Sequence, residues 1–398
     1  MTKSAILTAA LSPCLLFSAS CTAQPSPTAE STPFPAGTAG QSVTISESGD
    51  FTARSFGAFD EPWAAAFAPG TSVLFITERG GTAKFVDTLT GRLGTVTGLP
   101  KVDYGGQGGL GDIAFLPSEA APTLQDRTVY LSWSEAGEGD TRGAVVGRGI
   151  LRCAEADACA IENLSVIWRQ EPKVTGRGHY SHRIAFSPDG RHMFVSSGDR
   201  QKMDPAQDPR TALGKIVRLN LDGTPAAGNA LAARGARPDI YSMGHRNVLG
   251  LAFDAQGRLW DLEHGPAGGD ELNLVREGAN YGWPIVSEGD HYDGREIPPH
   301  ATRPEFAAPA IAWNPVIAPG DFIFYSGKLW PEWKGQSLVA GMKPTVLVRV
   351  AIDGERGREV ARVPVERRLR DIVEGPDGAI WLLEDREGGR LIELRPAR

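Results

Sequence analysis

The chain has 398 residues, of which 41% are hydrophobic and 22% charged, enough apolar content for a large core and too much for a disordered polypeptide. Its 48 acidic residues against 41 Lys plus Arg give a formal net charge of -7, which speaks against a general nucleic-acid or anionic-membrane binder. A soluble enzyme or binding protein remains.

Taken in chain order, the N-terminus comes first. Lys3 precedes an apolar stretch over residues 5–17 and a run of small residues over 18–23, the order of a secretory signal, and the stretch is too short to be a transmembrane segment. A signal peptide is therefore expected over residues 1–23, with export to the periplasm. Small residues before Cys21 suit lipoprotein processing and a lipid anchor as well as plain release. Residues 24–44, rich in Pro, Ser, Thr and Ala, read as a flexible linker. Cys153 and Cys159 have five residues between them, in an acidic turn. In an oxidising compartment they are expected to form a disulfide closing a hairpin, because a metal pair lacks further Cys or His partners nearby.

Residues 45–398 show no long helical periodicity. Short β-branched and aromatic runs at 73–77, 129–133, 193–197 and 379–383 follow turn signals such as Pro69-Gly70, Pro188-Asp189-Gly190 and Pro376-Asp377-Gly378. One unit recurs: an apolar strand end, a Pro/Asp/Gly turn, then an aromatic-containing strand. Its anchors are Phe67, Phe115, Phe186, Phe253, Phe324 and Val373, spaced 48 to 71 residues apart. Such a period, lengthened by loop insertions, predicts an all-β, six-bladed β-propeller of four-stranded antiparallel blades; two stacked sandwiches predict no recurring unit. Loops on one face of such a ring are expected to carry function.

Four constellations stand in those loops. The first, G-G-Q-G-G-L-G-D at 105–112, combines glycines that permit close backbone approach with the Gln107 amide; alone it is as readily a glycine-rich turn. The second, G-H-Y-S-H-R at 178–183, places His179 just before a strand, where a near-neutral imidazole can serve as a base or simply be a satisfied loop histidine. The third is the richest: Y-S-M-G-H-R-N at 241–247, E-H-G-P at 263–266, G-G-D-E-L-N-L at 268–274 and A-N-Y-G-W-P at 279–284. Packing accounts for Leu272, Leu274 and Trp283, but not for Arg246, Asn247, Asp270, Glu271 and Asn273 crowded beside turn glycines. Carboxylates and loop carbonyls together suit a hard oxygen-seeking cation such as Ca²⁺. The fourth is cationic: Lys343 in G-M-K-P, and Arg368 and Arg370 in R-R-L-R-D, whose alternation puts both on one strand face, where they can address one polyanion or simply be solvated.

The joint order of these motifs resembles that of the soluble pyrroloquinoline-quinone (PQQ) dependent glucose and aldose sugar dehydrogenases, over most of the chain from about Trp63 to Leu394. The resemblance implies that His179 is the general base, that Gln107, Arg246, Asn247, Lys343, Arg368 and Arg370 surround PQQ, and that Arg246 also stabilises developing negative charge. It implies a catalytic Ca²⁺ on the carbonyls of Gly265 and Pro266, and a second Ca²⁺ on Glu271 and the Tyr281 carbonyl. The implied reaction oxidises the C1 hydroxyl of a sugar to a lactone, with an external electron acceptor as partner.

The chain departs from the glucose-oxidising pattern at several points. Gly178 stands where an Asp precedes the base, His182 replaces a small residue, and Asn314 and Val316 occupy positions of Trp and Thr. Two other classes fit a six-bladed ring: a calcium-dependent lactonase or esterase, which leaves Lys343, Arg368 and Arg370 without a task, and a non-catalytic glycan- or protein-binding propeller, which needs neither His179 nor the cations.

Overall fold

A computed structural model describes residue 1, residues 40–46 and residues 51–397. Apart from Met1 and residues 40–44, the expected signal segment and linker lie outside the described residues. The chain separates into two units, Met1–Phe34 and Pro35–Arg398, and every described strand belongs to the second.

Among the described residues, all regular structure beyond short 3-10 turns is β. Six strands of six residues lead the antiparallel groups: Pro62–Phe67, Leu110–Phe115, Ser181–Phe186, Val248–Phe253, Pro319–Phe324 and Leu369–Glu374. Each recurring anchor found in the sequence closes one of them; five are the last residue, and Val373 is the penultimate. The periodic signal had therefore located the end of each leading strand, where an apolar residue meets the following Pro/Asp/Gly turn.

From each leading strand the chain runs outward in an antiparallel meander. The third group, for example, is ordered Ser181–Phe186, His192–Ser197, Lys215–Asn220 and Ile240–Met243. Two groups fuse into an eight-stranded sheet because Arg92–Thr97 pairs in parallel with the start of Ala158–Arg169. The last group is completed from the other end of the chain: Phe51–Phe59 pairs antiparallel with Gly389–Pro396. Leading and second strands are largely buried because sheets cover both faces, whereas the outer strand Arg356–Pro364 contains no fully buried residue. The apolar core accordingly lies between neighbouring groups, as where Phe75, Phe85, Phe115, Val129 and Leu131 interlock.

The six leading strands contact one another in a closed cycle, and Arg183 is the hub. From the third strand its guanidinium reaches Asp112 (3.4 Å), Asp321 (3.6 Å) and Asp371 (3.5 Å), carboxylates of three other leading strands. It also donates to the carbonyls of Leu249 and Gly320 and lies 4.2 Å from the Trp63 ring centroid. One buried cation thus touches all five other leading strands. Cys153 and Cys159 are joined by a disulfide across the hairpin between Arg142–Glu155 and Ala158–Arg169.

Candidate active site

His179 sits in the loop entering the third leading strand, with φ at +48°, and Ser181 and His182 follow with φ of +58° and +68°. Three left-handed non-glycine residues within four positions are costly, and such strain persists where surrounding contacts over-determine it. Here the contacts are visible. The His179 backbone N–H donates to Gln107 Oε1 at 2.7 Å, and a Cβ added at Gly198 would come within 2.1 Å of the His179 carbonyl oxygen. Glycine is required at 198 because the next chain segment passes directly beneath the loop.

That same segment supplies Asp199, fully buried, whose Oδ1 lies 2.7 Å from His179 Nδ1. Asp199 also accepts Trp283 Nε1–H (2.8 Å) and the Gln201 backbone N–H (2.8 Å). Burial pushes the Asp199 carboxyl up, yet these donors, His179 foremost, hold it below the usual range. It is therefore ionised, fixes the Nδ1–H tautomer and leaves Nε2 with no protein partner among the described residues. Burial lowers the His179 pKa; the Asp199 hydrogen bond offsets part of this, the Arg246 charge adds to it, and the ring ends below 6.5. At neutral pH the imidazole is a neutral base. No role had been read for Asp199 in the sequence, although its Gly-Asp pair immediately after the strand His192–Ser197 was the available signal.

Arg246 is held from several sides. Its backbone N–H donates to Glu263 Oε2 (2.7 Å), its guanidinium donates to the His264 carbonyl (3.1 Å) and the Tyr292 hydroxyl (3.2 Å), and it lies 5.2 Å from the Trp283 ring centroid. Its Nε is buried without a hydrogen-bond partner.

Two adjoining cavities take up these groups. One, of about 310 Å³, is lined by His179, Asp199, Arg246, Pro266, Trp283 and Tyr292, among others. The larger, of about 560 Å³, is lined by Gln107, His182, Asn247, His264, Arg368 and Arg370, with Trp63 and Arg79 in its wall. Arg246 and Asn247 are consecutive yet face different cavities, as do His264 and Pro266 across a short turn.

The cationic wall differs from its sequence reading. Arg368 and Arg370 do share a face, but both clamp Asp385, at 2.7 and 2.8 Å, so two arginines present a net single charge. Lys343 is exposed, one residue beyond Met342, which lines the larger cavity. His182, whose effect on the pocket was open, is buried and neutral: desolvation lowers its pKa to about 3, Nδ1 lies 2.7 Å from Ser132 Oγ, and the ring stacks on Trp63 at 5.0 Å. Asn314 packs beside Gly268 and is exposed, and neither it nor Val316 lines either cavity.

Gly265, Pro266, Glu271 and Tyr281 surround a third, very small cavity of about 20 Å³, shared with Glu263, Ser287 and His300. A space of that size accommodates one ion or one water. The Tyr281 carbonyl accepts His300 Nε2 at 3.0 Å. Burial and then the Glu263 charge push the Glu271 carboxyl well above its usual range. Asp261, Glu263 and Glu271 lie together with Asn273, and Asp261 Oδ2 and Asn273 Oδ1 are buried without hydrogen-bond partners. Three buried carboxylates about one imidazole, His245, whose Nδ1 lies 3.3 Å from both Asp261 Oδ2 and Glu263 Oε1, fit a cation. Asp270, counted with these oxygen donors in the sequence, is instead consumed by backbone amides of Gly265, Ile317 and Ala318, at 2.9, 2.8 and 2.7 Å.

Comparison with known proteins agrees with this arrangement over nearly the whole chain. The family model described as Glucose / Sorbosone dehydrogenase matches residues 59–393. The aldose sugar dehydrogenase YliI of Escherichia coli (strain K12) is 33% identical over 345 residues, covering 85% of this chain and 90% of that protein. The crystal structure of the soluble aldose sugar dehydrogenase from Escherichia coli in the apo-form superposes with a TM-score of 0.79 at 31% identity, covering 87% of this chain and 99% of that one. The PQQ-bound form of aldose sugar dehydrogenase from Streptomyces coelicolor gives a TM-score of 0.68 at 28% identity, covering 86% and 96%. With its closed ring of antiparallel strands and its histidine-centred cavity, the chain belongs to the glucose/sorbosone dehydrogenase family.

Proposed function

We propose that this protein is a PQQ- and Ca²⁺-dependent aldose dehydrogenase that converts the C1 hydroxyl of a sugar to a lactone. The observation that carries the reading is the buried His179–Asp199 pair, with Nε2 free, in a cavity shared with Arg246 and adjoining a second cavity walled by cations. The scaffold is read as six four-stranded blades, the last closed by the N-terminal strand Phe51–Phe59, in a protein exported through its N-terminal signal and either released or anchored at Cys21.

His179 Nε2 takes the proton of the C1 hydroxyl, and Asp199 stabilises the imidazolium that forms without itself being protonated. When bound, PQQ would accept the C1 hydride, with Ca²⁺ polarising its quinone carbonyl. Arg246, immobilised by Trp283 and the His264 carbonyl, directs positive charge into the cavity where negative charge develops. Gln107 contributes by fixing the His179 loop through its backbone N–H, and Asn247 accepts from Ser181 Oγ at 3.3 Å. The Arg368–Asp385–Arg370 clamp and Lys343 offer cations suited to the carboxylates of a planar polyanion. Glu271 and the Tyr281 carbonyl would hold one Ca²⁺ in the small cavity, and the carbonyls of Gly265 and Pro266 would hold the catalytic Ca²⁺ on the side where Pro266 also lines the His179 cavity; an external acceptor removes the electrons.

The test is reconstitution of purified protein with PQQ and Ca²⁺ followed by dye-linked oxidation of a panel of aldoses. Turnover that depends on both additions is expected. No cofactor-dependent absorbance and no turnover with any aldose would end the proposal.

A further inference from the structure

The outer wall of the cavity that holds His179 contains a feature the proposed chemistry does not use. Residues 289–298 form a loop whose foot is fixed: Gly289–Asp290 pairs with Ala267–Gly268, and Ile297 packs in a small core with Ala206 and Trp283. Its tip is tightly turned by hydrogen bonds from His291 N–H to the Arg295 carbonyl and from Gly294 N–H to the His291 carbonyl, both 2.9 Å. At that tip stands Tyr292, 77% exposed, yet lining the same cavity as His179, Pro266 and Trp283.

Scattered exposed aromatics need no explanation. Tyr292 differs because it is held in place. Its hydroxyl accepts from Arg246, whose guanidinium carbon lies 5.8 Å from the ring centroid. The same guanidinium lies against Trp283, so Trp283, Arg246 and Tyr292 form a ladder from the buried dyad to solvent. A rigid aromatic ring with bare surface, backed by a cation and reached from water, suits the C–H face of a pyranose, whose hydroxyls remain free for the polar tip residues His291, Asp293 and Arg295.

We propose that Tyr292 is the stacking wall of a sugar-binding subsite, contacting the pyranose ring whose C1 faces His179. The inference deepens the dehydrogenase reading and rests on it. Because the ring is exposed, its truncation removes no core packing.

The experiment uses the PQQ- and Ca²⁺-loaded protein. Tyr292→Ala is expected to raise KM for an oxidisable aldose about 3- to 10-fold with kcat held within about twofold, the range expected for an aromatic stack. Tyr292→Phe, which keeps the ring and loses the hydroxyl, is expected to restore KM to within about twofold of the parent. A methyl pyranoside, blocked at the anomeric oxygen, supplies a readout without turnover: saturation transfer from the protein to its ring C–H protons should be present in the parent and the Phe variant and lost in the Ala variant. An unchanged KM and unchanged saturation transfer in Tyr292→Ala would overturn the proposal. So would a fall in kcat alone, which would place Tyr292 solely as a support for Arg246. If the parent oxidises no aldose, the dehydrogenase reading fails, while the pyranoside measurement still decides whether Tyr292 binds a sugar.

Discussion

Replacing Asp199 by Asn tests the proposed base most directly. The substitution keeps size and shape, but Trp283 Nε1 and the Gln201 amide donate to different Asp199 oxygens, so only one of them keeps a carbonyl acceptor, and the negative charge 2.7 Å from His179 Nδ1 is lost. A buried hydrogen bond to a charged partner is worth about 1.5–3 kcal/mol, which corresponds to roughly a 10- to 150-fold loss in kcat/KM if it is realised as the imidazolium forms. The pH profile carries a second signature. Burial already holds His179 below 6.5, and the Asp199 hydrogen bond is what raises it back toward that value. Its removal therefore shifts the acidic limb of kcat/KM to lower pH even as the plateau drops. Dye-linked initial rates of the PQQ- and Ca²⁺-loaded enzyme between pH 5 and 8.5, with PQQ affinity measured separately by fluorescence titration, report both effects. A plateau within about twofold of the parent and an unmoved limb would refute the argument that Asp199 supports the base.

Four further outcomes follow from the geometry. His179→Ala should abolish turnover while PQQ still binds, as measured by cofactor absorbance after gel filtration; retained turnover would assign the base to another group. Arg183→Met should destabilise the fold by about 3–5 kcal/mol, because it strands the buried Asp112 and Asp371 and the half-buried Asp321. Burial raises Asp112 to about 6, so that loss should be larger at pH 8 than at pH 5 in denaturant titrations. Burial also holds His182 and His264 at about 3, so below 6.5 the unfolded chain binds protons at these two sites that the folded one refuses, and their contribution to stability falls as pH drops. His182→Asn, which removes one of these groups, should therefore lose about 2 kcal/mol less than the parent between pH 7 and pH 5 by denaturant midpoint, the buried carboxyls being common to both. Chelation with EDTA should lower the melting temperature and Ca²⁺ should restore it, and Glu271→Gln should remove most of that response.

The leading strands and their ends were legible in the sequence because they depend on local pattern: an apolar anchor before a Pro/Asp/Gly turn looks the same in all six copies. The loop motifs were legible too, since Gln107, His179, Arg246, Asn247, Arg368 and Arg370 are short-range clusters of chemically distinctive residues, and all of them line the two adjoining cavities. Their partners were not. Asp199 reaches His179 from 20 positions along the chain, and Tyr292 reaches Arg246 from 46. Nothing in either segment marks the pairing, because propeller loops converge only when the ring closes. Asp385 shows the same limit in another form: alternation put Arg368 and Arg370 on one face, but only the folded sheet placed a carboxylate between them. Arg183 is the extreme case, the last residue of the His179 motif, whose carboxylate partners come from three other groups of strands. Sequence thus determined which residue types gather at each loop, while tertiary structure decided their charge and protonation, because both depend on burial and on partners that meet only across the closed ring.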